Sequence, residues 1–489
     1  MSYSREKPPA CRRSLCYPQS ESMTFPADST VSPGGFVLCG YILDAPEWGL
    51  LRHFEHGAVA IRDGRIFAAG PESEVRAMLT DWPDSAWHRA PQGQRWLVMP
   101  GLIDVHAHVP QYPVVGRVES ELLPWLKRHI FPAEQAFTGQ RPGLREELDA
   151  FFAEIAAQGT TTAMLYGAVW QDSTDLAFAA AERSGLRVLM GKVMMDVDSY
   201  GFGAQWPAVR TREASLAETR ELITTWHGRD AGRLEYVVSP RFAVTCSREL
   251  MAAAGALADE TGCAIQTHLS ENHAEIEYVR TLFPEAASYT DVYRRSGLLG
   301  PRSVLGHCVH LRPAELDLLA ATRSTVAHCP TSNFFLNSGL CPLNRLRGYG
   351  LRVGLGSDVA GGPELNLWQV MRSAIETQKA RRFHDPSVPE LTPAQTLFLA
   401  TAGGADVTGH AAITGTLSPG MEADLTVFDL NAVLPLQGRF TSPDPAPEAI
   451  AALMIYRGGP HALRGAWVRG RKVAGTCMMA SYSIGRISS

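Results

Sequence analysis

The sequence predicts an α/β protein, a (β/α)₈ TIM-like barrel with a small β-sandwich built from both chain ends. Three observations support this. Strand-like apolar runs alternate with helical stretches through the middle of the chain. Titratable residues gather at the ends of those runs. Short β-like pieces with turn signals stand before and after that middle. Regular alternation implies parallel strands joined by helices, and in a barrel the chemistry collects at the C-terminal strand ends.

Residues 1–33 read as a disordered tail rich in Pro and Ser, without the apolar core of a secretory signal; Met23 is a candidate alternative start. Residues 34–96 and 412–480 are assigned to the composite β-sandwich. Within the first part, Asp63-Gly64 separates two β-like runs, a strong hairpin signal. Residues 97–411 are assigned to the barrel. Its strands are expected at Leu97–His106, Thr160–Tyr166, Leu186–Asp196, Leu234–Phe242, Cys263–Leu269, Ser303–Val309, Ser324–His328 and Leu351–Asp358. Between the fourth and fifth runs, Glu249–Glu260 reads as a helix stopped by Gly262.

Composition narrows the function. A 489-residue chain that is 45% apolar and 19% charged is an ordinary globular protein. A net charge of −5 argues against a nucleic-acid partner, which usually demands a basic face. No apolar run approaches the roughly eighteen residues of a membrane span. Nine scattered cysteines without a Cys-x-x-Cys pair suit a reducing cytoplasm rather than a disulfide framework. Cys308 and Cys329 read as small core residues.

The strand ends carry the chemistry. His106 and His108 close the first run two residues apart, so a strand turns both imidazoles to one face. His268 ends the fifth run, His307 lies on the sixth, His328 on the seventh, and Asp358 ends the eighth. His106, His108, His268 and Asp358 form a nitrogen–oxygen donor set for one divalent ion, zinc with iron as its competitor. An open position would take water, whose pKa such a site lowers to about 7. Arg241, at the end of the fourth run, opposes a second cation. Glu271, three residues after His268, is placed to carry a proton between that water and a substrate. His307 could hydrogen-bond the attacking hydroxide, Asp358 could both ligate and accept a proton, and His328 could support the metal shell. His273-Ala274-Glu275 matches the first half of the cytidine-deaminase signature, but no Pro-Cys-x-x-Cys follows; both residues are expected at exposed helix positions.

Taken together, these segments resemble the amidohydrolase superfamily, and more narrowly the guanine deaminases, from about residue 36 to 475. The similarity rests on Pro100-Gly101-Leu102-Ile103-Asp104-Val105-His106-Ala107-His108-Val109-Pro110-Gln111, on Leu123-Pro124-Trp125-Leu126 with Phe131-Pro132-Ala133-Glu134, and on Pro240-Arg241-Phe242. It continues through His268-Leu269-Ser270-Glu271-Asn272, His307-Cys308, Ala327-His328-Cys329-Pro330-Thr331-Ser332-Asn333 and Gly356-Ser357-Asp358. The resemblance implies zinc on His106, His108, His268 and Asp358, and a proton shuttle at Glu271 assisted by His307 and Asp358. It implies a base pocket of Gln111, Arg241 and Phe242, and a homodimer. Asn337 departs from the glycine that relatives often carry. Guanine as the small-molecule substrate agrees with the pocket residues: its C6 carbonyl suits an arginine donor, whereas adenine presents an amino donor there. A site built around one polar group rejects an analogue lacking it by roughly 10⁴–10⁵. Phe242 could stack on the base; Trp125 is a stacking candidate or a core residue. The competing readings are an amidohydrolase acting on a triazine, a pterin or another aminopurine, and a non-catalytic barrel scaffold.

Overall fold

Runs buried on both faces become the parallel strands of a barrel. The computed structural model describes residues 35–198, 210–439 and 441–475; the expected N-terminal tail, Met23 included, and residues 476–480 lie outside them. The barrel strands are β1 (Leu102–His108), β2 (Thr160–Tyr166), β3 (Arg187–Gly191), β4 (Leu234–Pro240), β5 (Ala264–Leu269), β6 (Ser303–His307), β7 (Thr325–His328) and β8 (Arg352–Leu355). Each pairs in parallel with the next in chain order. Every residue of β1 and β2 is buried, which is why these strands read as unbroken apolar runs rather than alternating ones.

No ladder joins β8 to β1, and the seam is closed by the loop that follows β8. Asp358 N donates to His106 O at 2.8 Å, and His108 N donates to Val359 O at 3.1 Å. The buried Asp104 carboxylate accepts from Ser357 N at 3.0 Å, from Ser357 Oγ at 2.5 Å and from His106 N at 3.1 Å. One carboxylate thus ties together the two chain segments that carry His106, His108 and Asp358.

The chain ends pair into a second, mostly antiparallel sheet. Its order is Arg471–Ala474, Leu463–Val468, Leu425–Asp429, Trp96–Pro100, Phe36–Glu47, Leu50–Arg62 and Arg65–Pro71, with Trp87–His88 beside Phe36–Glu47. Leu38, Val59 and Ile61 share one apolar core with Leu425, Val427 and Trp467, so distant parts of the sequence bury each other's faces. The Asp63-Gly64 turn has φ values of 51° and 75°, the left-handed pair that a two-residue hairpin requires.

The expected first strand, Leu97–His106, divides at Gly101. Trp96–Pro100 joins the second sheet and Leu102–His108 joins the barrel. A Cβ on Gly101 would stand 1.9 Å from Thr161 Oγ1, so only glycine lets the chain pass between the two sheets here. The expected helix runs over Arg248–Thr261; Ser247 Oγ accepts from Leu250 N at 3.0 Å at its start, and Gly262, at φ 73°, follows its end.

His273 is exposed, as expected, but Glu275 is not: it is fully buried. It occupies the third position of the helix His273–Leu282 and completes a capping box. Its carboxylate turns back to accept from Asn272 N at 3.2 Å and Glu271 N at 2.9 Å, while Tyr289 Oη donates to it at 2.9 Å. A first-turn carboxylate that folds back to cap its own helix leaves the solvent. Among the described residues no helix is long and apolar enough to cross a membrane.

The passage at Gly101 sets a test. Gly101→Ala is expected to destabilise the protein by about 1–3 kcal/mol, the usual cost of overpacking, read by urea unfolding. Wild-type stability would contradict the close approach to Thr161.

Candidate active site

The site grows from the C-terminal ends of β1, β5, β6 and the loop after β8. His106 and His108 project to the same face of β1, as residues two apart must. Glycines make room for the first ring. A Cβ on Gly306 would stand 2.8 Å from His106 Cε1, and one on Gly356 would stand 2.6 Å from His106 Cβ. His307 and Asp358 carry φ values of 68° and 50°, and Ser270 and Cys308 also lie in the left-handed region. Such backbone costs about 1–3 kcal/mol per residue and gathers at functional sites.

Four of the expected ligands converge. His106 Nε2 lies 3.2 Å and His108 Nε2 3.3 Å from Asp358 Oδ1, and His108 Nε2 lies 3.2 Å from His268 Nε2. Ligand atoms about 2.0–2.1 Å from a tetrahedral ion stand ~3.3 Å from one another, so these spacings are those of a cage around a common centre. All four side chains are buried, and their ligand atoms lie within 4.8 Å of one another. His268 Nδ1–H donates to Arg241 O at 2.8 Å, which leaves Nε2 as a bare lone pair, the orientation a metal-binding imidazole needs.

Protonation agrees with that chemistry. Burial, with His106, His108 and His307 nearby, drives His268 well below the ordinary histidine range. Burial also takes His108 down to about 4, against the pull of Asp358. Both rings are therefore neutral at pH 7. Burial alone would raise Asp358, but His106 and His108 hold its carboxyl well below the usual range, so it is ionised. Neutral imidazoles and a carboxylate are the forms that bind a divalent ion.

Glu271 lies beside this cage with the opposite tendency. Burial, reinforced by the negative charge of Asp358, raises its carboxyl to about 8. Ser338 Oγ donates to its Oε1 at 2.9 Å, and its Oε2 is 3.4 Å from His307 Nε2. His307 Nδ1 pairs with Asn333 Oδ1 at 3.0 Å. Asn333 O also accepts from Ser338 N at 2.9 Å, so a single loop holds both His307 and Glu271. Asn337, between Asn333 and Ser338 in sequence, has φ 52°, a left-handed conformation that asparagine tolerates. His328 ends β7 outside the four-residue group. It is fully buried, burial and then His307 lower it to about 3, and neither ring nitrogen has a hydrogen-bond partner.

The pocket over the cage is lined by His108, His268, Glu271, His307 and Asp358 and by all four expected base contacts, Gln111, Trp125, Arg241 and Phe242. Leu122, Leu126 and Leu336 complete its apolar wall. The Trp125 indole N–H is tied to Arg117 O at 2.8 Å. Three polar neighbours of this set were not singled out as site residues from the sequence: Ser338, Asn333 and Glu134. Buried Glu134 accepts from Gln111 Nε2 at 2.9 Å and from Arg241 Nη1 at 2.6 Å. Only the family-like strings containing Glu134 and Asn333 marked them; Ser338 carried no signal.

The Amidohydrolase family pattern matches residues 97–468. A guanine deaminase from Escherichia coli strain K12 is 36% identical over 408 residues, 83% of this chain and 88% of that protein. The solved structure of an E. coli guanine deaminase superposes with a TM-score of 0.82 at 33% identity, covering 90% of this chain and 99% of that one. A guanine deaminase from C. acetobutylicum, solved with guanine in its active site, superposes at 0.80 with 26% identity over 90% and 99%.

The raised carboxyls have a measurable consequence. Glu271 at about 8 and Glu275 at about 7 both bind protons more tightly when folded than an exposed glutamate near 4.5 does. Their contribution to stability is therefore greatest below pH 4.5 and is lost as pH rises through 8. The buried neutral histidines act in the opposite sense in wild type and variant alike, so urea unfolding of the metal-stripped protein between pH 5 and 8 should show wild type losing stability relative to Glu271→Gln as pH rises. Parallel slopes would contradict the buried, proton-holding Glu271.

Proposed function

The chain belongs to the amidohydrolase family, and from that premise we propose that it hydrolyses guanine to xanthine and ammonia, with zinc held by His106, His108, His268 and Asp358. The observation that carries this reading is one pocket in which a four-ligand cage, a carboxyl raised to about 8 and an arginine–glutamine pair face a common space. Zinc bound there would lower the pKa of water to about 7 and so supply hydroxide at neutral pH.

The protein's own groups perform the rest. Glu271 takes the proton released by water and delivers it to the ring nitrogen next to C2, lifting electron density from the carbon under attack. The hydroxide oxygen adds to C2. His307, fixed through Nδ1 by Asn333, hydrogen-bonds the adduct with its other nitrogen. Asp358 receives the second water proton and passes it to the exocyclic amino group. The C2–N bond breaks, ammonia leaves and xanthine remains. Because Glu271 sits near 8, its affinity for a proton lies close to working pH, where a group can both accept and return one.

Arg241 donates to the C6 carbonyl oxygen, Gln111 makes a further hydrogen bond to the base, and Phe242 lies against the ring. An amino group at C6 would meet the Arg241 donor with another donor, which disfavours adenine. The triazine, pterin and scaffold readings are less favoured. The relatives at about a third identity carry the guanine activity in their names, and a scaffold has no use for a buried carboxyl poised near neutral pH.

Incubation of the zinc-loaded protein with guanine should convert its ultraviolet spectrum to that of xanthine, with one ammonia released per base. Glu271→Gln should keep its metal and lose roughly 10²–10⁴-fold in kcat, the usual worth of positioned acid–base catalysis. Near-normal turnover in that variant would remove Glu271 from the mechanism.

A further inference from the structure

Glu134 is only 1% exposed, and it lies beneath the pocket rather than in its lining. Its carboxylate engages both polar residues assigned to the base. Arg241 Nη1 meets Glu134 Oε1 at 2.6 Å and Oε2 at 2.5 Å, and Gln111 Nε2 donates to Oε1 at 2.9 Å. Arg241 also lies over the Phe131 ring, 4.9 Å from its centroid. Among the described residues, no other side chain hydrogen-bonds the Arg241 guanidinium.

A carboxylate only accepts hydrogen bonds, and that fixes the polarity of everything attached to it. Gln111 must turn its amino group toward Glu134, so its Oε1 faces the other way, where Ala360 N donates to it at 3.3 Å. The Arg241 guanidinium commits Nη1 to Glu134, and its remaining donors stay available. Both residues are attached to the metal cage: Gln111 follows His108 by three positions, and the Arg241 carbonyl holds His268 Nδ1. Glu134 therefore sets where the donors stand relative to the reacting centre.

We propose that Glu134 is a positioning residue that gives this pocket its preference for a purine bearing oxygen at C6, acting through Arg241 and Gln111. The inference rests on the guanine reading above and deepens it. An amide at position 134 would present a donor to Arg241 and let Gln111 turn over, blurring the pattern that distinguishes a carbonyl from an amino group. The cage and Glu271 do not touch Glu134, so the chemical step itself is left in place.

The test uses full-length, metal-loaded protein and two probes without the reacting amino group, hypoxanthine, which carries the C6 oxygen, and purine, which lacks it. In Glu134→Gln, guanine KM should rise roughly tenfold or more while kcat changes less than about threefold, a loss of binding rather than of chemistry. Hypoxanthine affinity, read by calorimetry, should fall in parallel, and purine affinity should stay as in the wild type. Glu134→Asp keeps the charge and tests the same point where the amide variant does not fold: its hypoxanthine to purine ratio must move in the same direction. Equal loss for both probes, or a ratio unchanged in either folded variant, overturns the proposal. Calorimetry needs no turnover, so a wild type that leaves guanine intact would sink the guanine reading while the probe ratio still reports on Glu134.

Discussion

Three imidazole nitrogens and one carboxylate oxygen within 4.8 Å of one another, with neighbouring pairs at 3.2–3.3 Å, constrain everything around them. With His108 and His268 held neutral, the cluster turns lone pairs on one buried space, an arrangement that a shared cation would satisfy. Much of the neighbouring structure serves this convergence. Gly306 and Gly356 leave space for His106. Asp104 ties β1 to the Asp358 segment. Left-handed backbone at His307 and Asp358 turns those side chains inward. Each feature is unfavourable or permissive by itself, and together they serve a single geometry.

The proposed recognition and chemistry hang on the same segments. Arg241 supplies its carbonyl to His268 and its guanidinium to the pocket; Gln111 follows His108 on the strand-end loop. The loop from Asn333 to Ser338 joins His307 to Glu271. The segments that place the cage thus also place the polar side chains of the pocket.

Much of this was legible in the sequence because the barrel writes its chemistry at fixed places. His106 and His108 announce themselves by spacing, and His268, His307 and Asp358 by standing at the ends of the fifth, sixth and eighth strand-like runs. What escaped depended on partners far away in the chain. Trp96–Pro100 reads as the start of a barrel strand, yet its neighbour is Leu425–Asp429, over three hundred residues later, and only the crowding at Gly101 reveals the break. Glu275 sits in a helical pattern that suggests exposure, and its burial follows from a capping box and from Tyr289. Glu134 lies in a family-like string that names no role for it, and its hydrogen-bond partners Gln111 and Arg241 stand 23 and 107 positions away.

X-ray absorption at the zinc edge, on full-length protein purified with its metal, tests the central claim most directly. The account predicts about one zinc per chain with three nitrogen ligands and a carboxylate oxygen at about 2.0–2.2 Å, and one nitrogen ligand fewer, or loss of the ion, in His268→Ala. A protein that active purification leaves without a divalent ion, or whose ion keeps an unaltered nitrogen shell in that variant, would contradict it.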